Sequence, residues 1–135
     1  MSDSVFADTN ILIYAVLDQG SKVEAAQSVL AAGPVISVQV LNEFAAVSRG
    51  KFAKSWSEIE EALDIVRTLV RTILPLTIET HDAAMSIAAR YKLRVYDAMI
   101  VAAAAGAGCS ILLSEDMQHG QVIDGVRIAN PFDLS

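Results

Sequence analysis

Residues 5–17 read VFADTNILIYAVL: a short apolar run, a polar triplet and a longer apolar stretch. The run at 5–7 is apolar throughout, which is typical of a buried strand. The triplet at 8–10 offers cap side chains, and residues 11–17 then fit a helix. The segment therefore predicts a strand that passes directly into a helix, with the carboxylate of Asp8 at the junction.

Three further acidic residues also stand where an apolar segment meets polar ones, namely Glu43, Asp97 and Asp116. Asp116 follows an apolar run, as Asp8 does, so both are expected at the carboxyl edge of a parallel sheet, where such sheets bind ligands. Asp97 stands at a predicted helix start, where the helix dipole favours its charge. Glu43 is expected on the apolar face of its helix, where a carboxylate needs a partner.

If the four carboxylates converge, they repel one another unless a cation lies among them. Ligands that are all oxygen suit Mg²⁺ or Mn²⁺ and argue against zinc. The acids therefore predict a site for one or two divalent ions, of the kind that cleaves phosphodiesters.

Each acid also has an ordinary explanation when taken alone. Asp8 and Asp97 are equally well explained as helix N-caps. Asp116 fits an acidic surface loop, and Glu43 fits the edge of a helix or a pair with an arginine. These alternatives stay open at the level of sequence.

Strands and helices alternate in the predicted pattern. Strands are expected at residues 5–7, 35–36, 76–78, 110–114 and 126–129, and helices between them, one of which reaches Ile73 before Pro75. Ser21 and Ser55 are expected to open capping boxes, and Ser37 to cap a helix. Such alternation predicts one three-layer α/β/α domain, residues 1–135, with a central parallel sheet of about five strands.

Composition limits the class of protein. The chain is 53% hydrophobic with a mean hydropathy of +0.44, but no apolar stretch approaches the roughly 18 residues of a membrane span. A single cysteine, Cys109, favours a reducing compartment, and we expect a cytoplasmic protein with Cys109 in the core. The net charge of −6 counts against nucleic-acid binding, although bound cations would offset part of it. The high apolar content leaves room for an oligomer or a partner.

Several polar residues near the acids have supporting roles in this interpretation. Asn10 and Ser114 are expected to orient the carboxylates, or else to form a cap and a turn. Two basic groups flank the acids, and their charges are explained either by solvation or by phosphate contact: Arg49, Lys51 and Lys54, and Arg90, Lys92 and Arg94.

Three motifs carry a resemblance to a known family: VFADTNILIY at 5–14, YDAMIVAAA at 96–104 and LLSED at 112–116, with Glu43 between the first two. Together they resemble the PIN domain, and within it the VapC-type toxins of bacterial toxin–antitoxin pairs, over essentially the whole chain. The family often carries one more acid shortly after the fourth. The neutral Gln118 stands there in this chain.

The resemblance implies a metal-dependent ribonuclease with Asp8, Glu43, Asp97 and Asp116 as its acidic quartet. It also implies a homodimer and inhibition by a small VapB-like antitoxin, which the negative charge would suit if the antitoxin tail is basic. Expected substrates are RNA loops, with tRNA or rRNA as candidates. Two alternatives stay open: a non-enzymatic, metal-binding regulatory or interaction domain, and a PIN nuclease of RNA processing.

Overall fold

The structure is a computed structural model that describes residues 4–17 and 20–133. Each of the first three strands is followed by two helices, and a fourth strand and a short hairpin follow the last helix. The elements are β1 (Val5–Ala7), α1 (Thr9–Val16), α2 (Val23–Ala31), β2 (Val35–Ser37), α3 (Val38–Gly50), α4 (Trp56–Leu69), β3 (Thr72–Leu74), α5 (Ile78–Tyr91), α6 (Val95–Gly106), β4 (Ile111–Leu113), β5 (Val122–Ile123) and β6 (Val126–Ala129).

The strands form one sheet in the order β3-β2-β1-β4-β6-β5. All neighbouring pairs are parallel except β5 with β6, which are antiparallel. Strand β1 is central, with Phe6 opposite Val35 of β2 on one side and Leu112 of β4 on the other. The chain thus builds outward on one side of β1 and then on the other, which opens a crevice at the carboxyl ends of β1 and β4. The predicted α/β architecture is confirmed, with six strands instead of about five.

The extra strand, β5, belongs to a hairpin that the sequence prediction missed. Asp124 and Gly125 connect β5 to β6, and both have positive φ, +48° and +82°. Two consecutive positive φ values define the tight turn that Asp-Gly pairs favour. The Asp-Gly pair could therefore have predicted this hairpin from the sequence.

The predicted strand at 76–78 is wrong. Strand β3 lies four residues earlier and pairs with β2, with Ile73 opposite Ile36. The helix predicted to reach Ile73 ends at Leu69, and Ile78 already opens α5 behind the N-cap Thr77. Pro75 separates strand from helix here, whereas the prediction placed it between helix and strand.

Two of the three predicted serine caps are confirmed. Ser55 and Glu58 form a full capping box at α4, and the Ser37 hydroxyl accepts from the Val40 amide at the start of α3. The predicted box at Ser21 is wrong, because α2 begins after Lys22 without a side-chain cap.

The core lies on the sheet beneath the helices, and its largest fully buried side chains include Phe6, Phe44 and Leu112. Cys109 is buried as expected. Within the described ranges, no helix is both long enough and apolar enough to cross a membrane.

Candidate active site

A cavity of about 550 Å³ opens at the carboxyl ends of β1 and β4. Its wall contains all four predicted acids, contributed by the residue after β1, by α3, by the first turn of α6 and by the segment after β4: Asp8, Glu43, Asp97 and Asp116. The convergence predicted from the sequence pattern is therefore present in the structure.

Asp8 lies deepest, with only 4% of its surface exposed. It is the N-cap of α1, and its Oδ1 accepts from the Thr9 amide at 2.7 Å. Its Oδ2 accepts from the Ser114 hydroxyl at 2.8 Å and from Asn10 Nδ2 at 3.5 Å. The capping explanation of Asp8 is thus correct, and the same carboxylate also faces the cavity.

The environment of Asp8 disfavours its charge. Burial is the largest cause, and it raises the pKa of this carboxyl from 3.8 to about 6. The hydrogen bonds from Ser114 and Thr9 oppose the rise, while the charges of Glu43 and Asp97 add to it. Ionised Asp8 is therefore an incompletely compensated buried charge.

Asn10 links Asp8 to Asp116. Its Nδ2 lies 3.2 Å from Oδ2 of Asp116, and its Oδ1 accepts from the Glu115 amide at 3.2 Å. The Ser114 hydroxyl, fully buried, accepts from the Asp116 amide at 3.2 Å while it donates to Asp8. The side chains of Asn10 and Ser114 thus form hydrogen bonds with both strand-end acids. Asp116 is exposed, yet it belongs to this network.

Glu43 is partly buried on α3 and accepts a hydrogen bond of 2.7 Å from the Thr9 hydroxyl to its Oε1. Thr9 therefore ties the helix that carries Glu43 to the start of α1. The sequence interpretation did not assign Thr9 this contact, since a threonine beside a cap residue has an ordinary explanation.

Asp97 lies inside the first turn of α6, not at its cap. The N-cap is Arg94, which makes no side-chain cap bond. The N-cap explanation of Asp97 is therefore wrong. Its Oδ2 instead accepts from Arg94 Nε at 3.2 Å and pairs with Nη2 at 3.1 Å.

A fifth acid, Glu115, lines the same cavity and was not predicted. It pairs with Lys22 and accepts from the Tyr14 hydroxyl at 2.6 Å. Burial acts to raise the pKa of Glu115, but the bonds from Lys22 and Tyr14 outweigh burial and lower it. The Lys22 ammonium also lies 5.0 Å from the centre of the Tyr14 ring and 5.5 Å from that of Phe132. We call Tyr14, Lys22, Glu115 and Phe132 the rim cluster.

The six predicted basic residues separate into two groups. Lys51 and Arg94 line the cavity. The other four lie outside its wall: Arg49, Lys54, Arg90 and Lys92. Arg49 stacks on the Trp56 ring at 4.9 Å, and Arg90 lies 3.6 Å from Asp124. Gln118 is exposed and also lies outside the wall.

The donor chemistry of the cavity fits a hard divalent cation, because the ionisable acceptors are carboxylates and one of them is buried and poorly compensated. As the side chains stand, no three Asp, Glu, His or Cys residues among 4–17 and 20–133 lie close enough together to hold an ion. Two of the acids are engaged elsewhere, Glu43 with Thr9 and Asp97 with Arg94. The residues therefore fit a cation by charge and ligand type, and side-chain movements would be needed to bind one.

Fold and site together define an α/β protein that gathers acidic side chains at the switch point of a largely parallel sheet. The sequence model of the PIN domain matches residues 5–123, so the chain belongs to the PIN domain family. No curated protein matches the chain significantly.

Solved structures with the same fold include proteins of toxin–antitoxin systems. A toxin–antitoxin complex from Klebsiella pneumoniae superposes with a TM-score of 0.72 at 21% identity, covering 97% of this chain and 99% of that one. VapBC2 from Rickettsia felis, bound to a DNA fragment from its promoter, gives 0.70 at 19% identity, covering 93% and 97%. VapC20 from Mycobacterium tuberculosis, a toxin that cleaves the sarcin-ricin loop, gives 0.67 at 20% identity, covering 81% and 87%.

Proposed function

We propose that this chain, folded as one domain over residues 1–135, is a Mg²⁺- or Mn²⁺-dependent endoribonuclease and the toxin of a toxin–antitoxin pair. The observation that carries the proposal is the buried carboxylate of Asp8, which shares one cavity with Glu43, Asp97 and Asp116. Membership of the PIN domain family and the toxin structures with the same fold support it.

The four acids would hold one or two ions, with Asp8, Asp97 and Asp116 as the main ligands. A bound ion supplies Lewis acidity toward a phosphate oxygen and lowers the pKa of a water. Glu43 would accept the proton of that water or add a ligand. Asn10 and Ser114 keep Asp8 and Asp116 oriented, as outer contacts of metal ligands do.

Substrate phosphates would meet Lys51 and Arg94, the two cations in the cavity wall. The remaining predicted contacts, Arg49, Lys54, Arg90 and Lys92, would reach RNA only where it extends beyond the cavity. Glu115 is already paired with Lys22. That pairing sets it apart from the acids available to an ion.

Partners follow from the same proposal. A small VapB-like antitoxin and a second copy of the chain would cover apolar surface, and both would act in the cytoplasm. Exposed large apolar side chains support an assembly of this kind, among them Trp56, Ile65, Ile78 and Tyr96.

The test is cleavage of a mixed tRNA and rRNA pool by purified protein in Mn²⁺, in Mg²⁺ and in EDTA. Wild type is compared with Asp97→Asn and with Asp64→Asn, an exposed aspartate on α4 outside the cavity. We expect discrete fragments from wild type and Asp64→Asn that disappear in EDTA and in Asp97→Asn.

Intact RNA from a folded, metal-bound wild type that is free of antitoxin would contradict the proposal. That result would favour the regulatory alternative. Fragments from a processing precursor alone would favour the RNA-processing alternative.

A further inference from the structure

The ion pair between Arg94 and Asp97 uses only one of the two carboxylate oxygens. Two of the three guanidinium nitrogens, Nε and Nη2, contact the same atom, Oδ2 of Asp97, at 3.2 and 3.1 Å. The Arg94 side chain is 79% exposed, whereas that of Asp97 is 20% exposed. Exposed pairs of this kind are weak, because water screens the attraction and the long side chain loses freedom. Arg94 can therefore leave Asp97 easily.

Arg94 neutralises a carboxylate whose charge a bound cation would need. A guanidinium and a divalent ion on one carboxylate would repel each other at close range. If Asp97 is a ligand, binding of the ion would therefore displace Arg94 from Oδ2. This step rests on the proposed function, since it assumes that the cavity takes a cation.

The displaced guanidinium stays beside the cavity, because Arg94 is the N-cap of the same helix that carries Asp97. Its planar donors match the oxygens of a phosphate. We propose that Arg94 exchanges partners, neutralising Asp97 in the metal-free protein and binding a substrate phosphate once the cation holds Asp97.

Two other cations provide the comparison. Lys51 also lines the cavity, but within residues 4–17 and 20–133 it forms no ion pair, and its Nζ lies 5.7 Å from the centre of the Phe52 ring. Arg90 is the penultimate residue of α5 and faces Asp124, outside the cavity wall. Of the three, only Arg94 is bound to a proposed metal ligand.

Partner exchange makes metal and RNA binding cooperative. In the metal-free protein, RNA must compete with Asp97 for Arg94. When the cation is bound, that competition is gone, so each ligand strengthens the other.

The first arm of the test is a calorimetric titration of Mn²⁺ alone into wild type, Arg94→Ala and the matched control Arg90→Ala. We expect Arg94→Ala to bind Mn²⁺ roughly two- to fivefold more tightly than the control, the range that loss of an exposed pair implies. Equal or weaker binding by Arg94→Ala would overturn the inference.

The second arm measures binding of a single-stranded RNA oligonucleotide that is short enough to lie within the cavity, whose wall does not include Arg90. Each protein also carries Glu43→Gln to suppress cleavage. We expect Mn²⁺ to strengthen RNA binding less in Arg94→Ala than in Arg90→Ala, and the salt dependence to fall by about one phosphate contact. If Arg94→Ala bound Mn²⁺ more tightly, but Mn²⁺ strengthened its RNA binding as much as that of Arg90→Ala, the proposed exchange would be overturned.

The two arms also separate this inference from the proposed function. If wild type binds no Mn²⁺ or no RNA, the proposed function falls and the inference falls with it. If wild type binds both and Arg94→Ala matches Arg90→Ala, only the inference falls.

Discussion

Two carboxylates that stand at the ends of neighbouring strands have opposite electrostatic environments. Asp8, after β1, is almost fully buried and its nearest partners are neutral donors, so its pKa rises to about 6. Glu115, after β4, pairs with Lys22 in the rim cluster, so its pKa falls. The rim acid already has its cation within the protein. Among residues 4–17 and 20–133, the buried acid pairs with no cation, as expected of a carboxylate reserved for a metal ion.

The largest difference between the two acids is expected in catalysis. Asp8→Asn should reduce RNA cleavage on the order of 10³-fold, because a metal ligand contributes several kcal/mol to the transition state. Glu115→Gln should stay within about tenfold of wild type, since it alters only the support of the neighbouring Asp116. Initial rates at saturating Mn²⁺ measure both effects.

Equal losses in the two variants would mean that Glu115 is itself a ligand. The distinction between the buried Asp8 and the Glu115 of the rim cluster would then fail. Asp64→Asn serves as the control for a general effect of charge removal.

Substitution of Asp8 and of Glu115 should change the stability of the protein in opposite directions. Ionised Asp8 costs roughly 3 kcal/mol at pH 7, from the rise of its pKa on folding. Asp8→Asn should therefore raise the free energy of unfolding of the metal-free protein by roughly 1–2 kcal/mol, since the lost bond from Ser114 offsets part of the gain. Glu115→Gln should lower it by about 0.5 kcal/mol, because its partly exposed pair with Lys22 is screened.

Urea unfolding in EDTA measures both changes. A large loss of stability in Asp8→Asn would show that the capping role of this residue outweighs its charge. The main role of Asp8 would then be to cap α1.

The pH dependence of stability tests the raised pKa of Asp8. Between pH 3.8 and about 6 the folded protein holds a proton on Asp8 that the unfolded chain releases, so the contribution of Asp8 to stability falls as the pH rises through this window. The advantage of Asp8→Asn over wild type should therefore be small near pH 4 and reach its full value by pH 7. A difference that is constant across this range would contradict the raised pKa.

The smallest effect on the metal site is expected from a substitution within the rim cluster. Tyr14→Phe removes one hydrogen bond to Glu115 and should reduce stability by about 0.5–1.5 kcal/mol. Mn²⁺ affinity should stay close to that of wild type, as calorimetry would show. A large loss of Mn²⁺ affinity would make the rim cluster part of the metal site.

The sequence located Asp8 and Asp116 because each follows an apolar strand whose end the fold must place at one sheet edge. Glu43 was located by its place on the apolar face of a helix, and Asp97 by its place near a helix start. Asn10 and Ser114 were named with them because each lies two residues from an acid. The rim cluster was not predictable in this way. Lys22, Tyr14 and Glu115 come from three distant segments, and a lysine near a helix start carries no signal of its partner.

The errors in the fold have similar causes. Thr72–Leu74 and the residues after Pro75 are both apolar enough for a strand, and only pairing with β2 decides between them. The position of Asp97 inside α6 was misread because the N-cap of this helix is Arg94, which makes no side-chain cap bond. Tertiary pairing, and not local propensity, settled the position of β3.

The most direct measurement is thermal unfolding of wild type and Asp8→Asn, each in EDTA and in millimolar Mn²⁺. We predict that Asp8→Asn melts above wild type in EDTA and that Mn²⁺ raises the Tm of wild type much more than that of the variant, which narrows or reverses the difference. A wild type that melts above Asp8→Asn in EDTA, with equal shifts of both proteins in Mn²⁺, would show that the buried carboxylate is a helix cap and is not reserved for a cation.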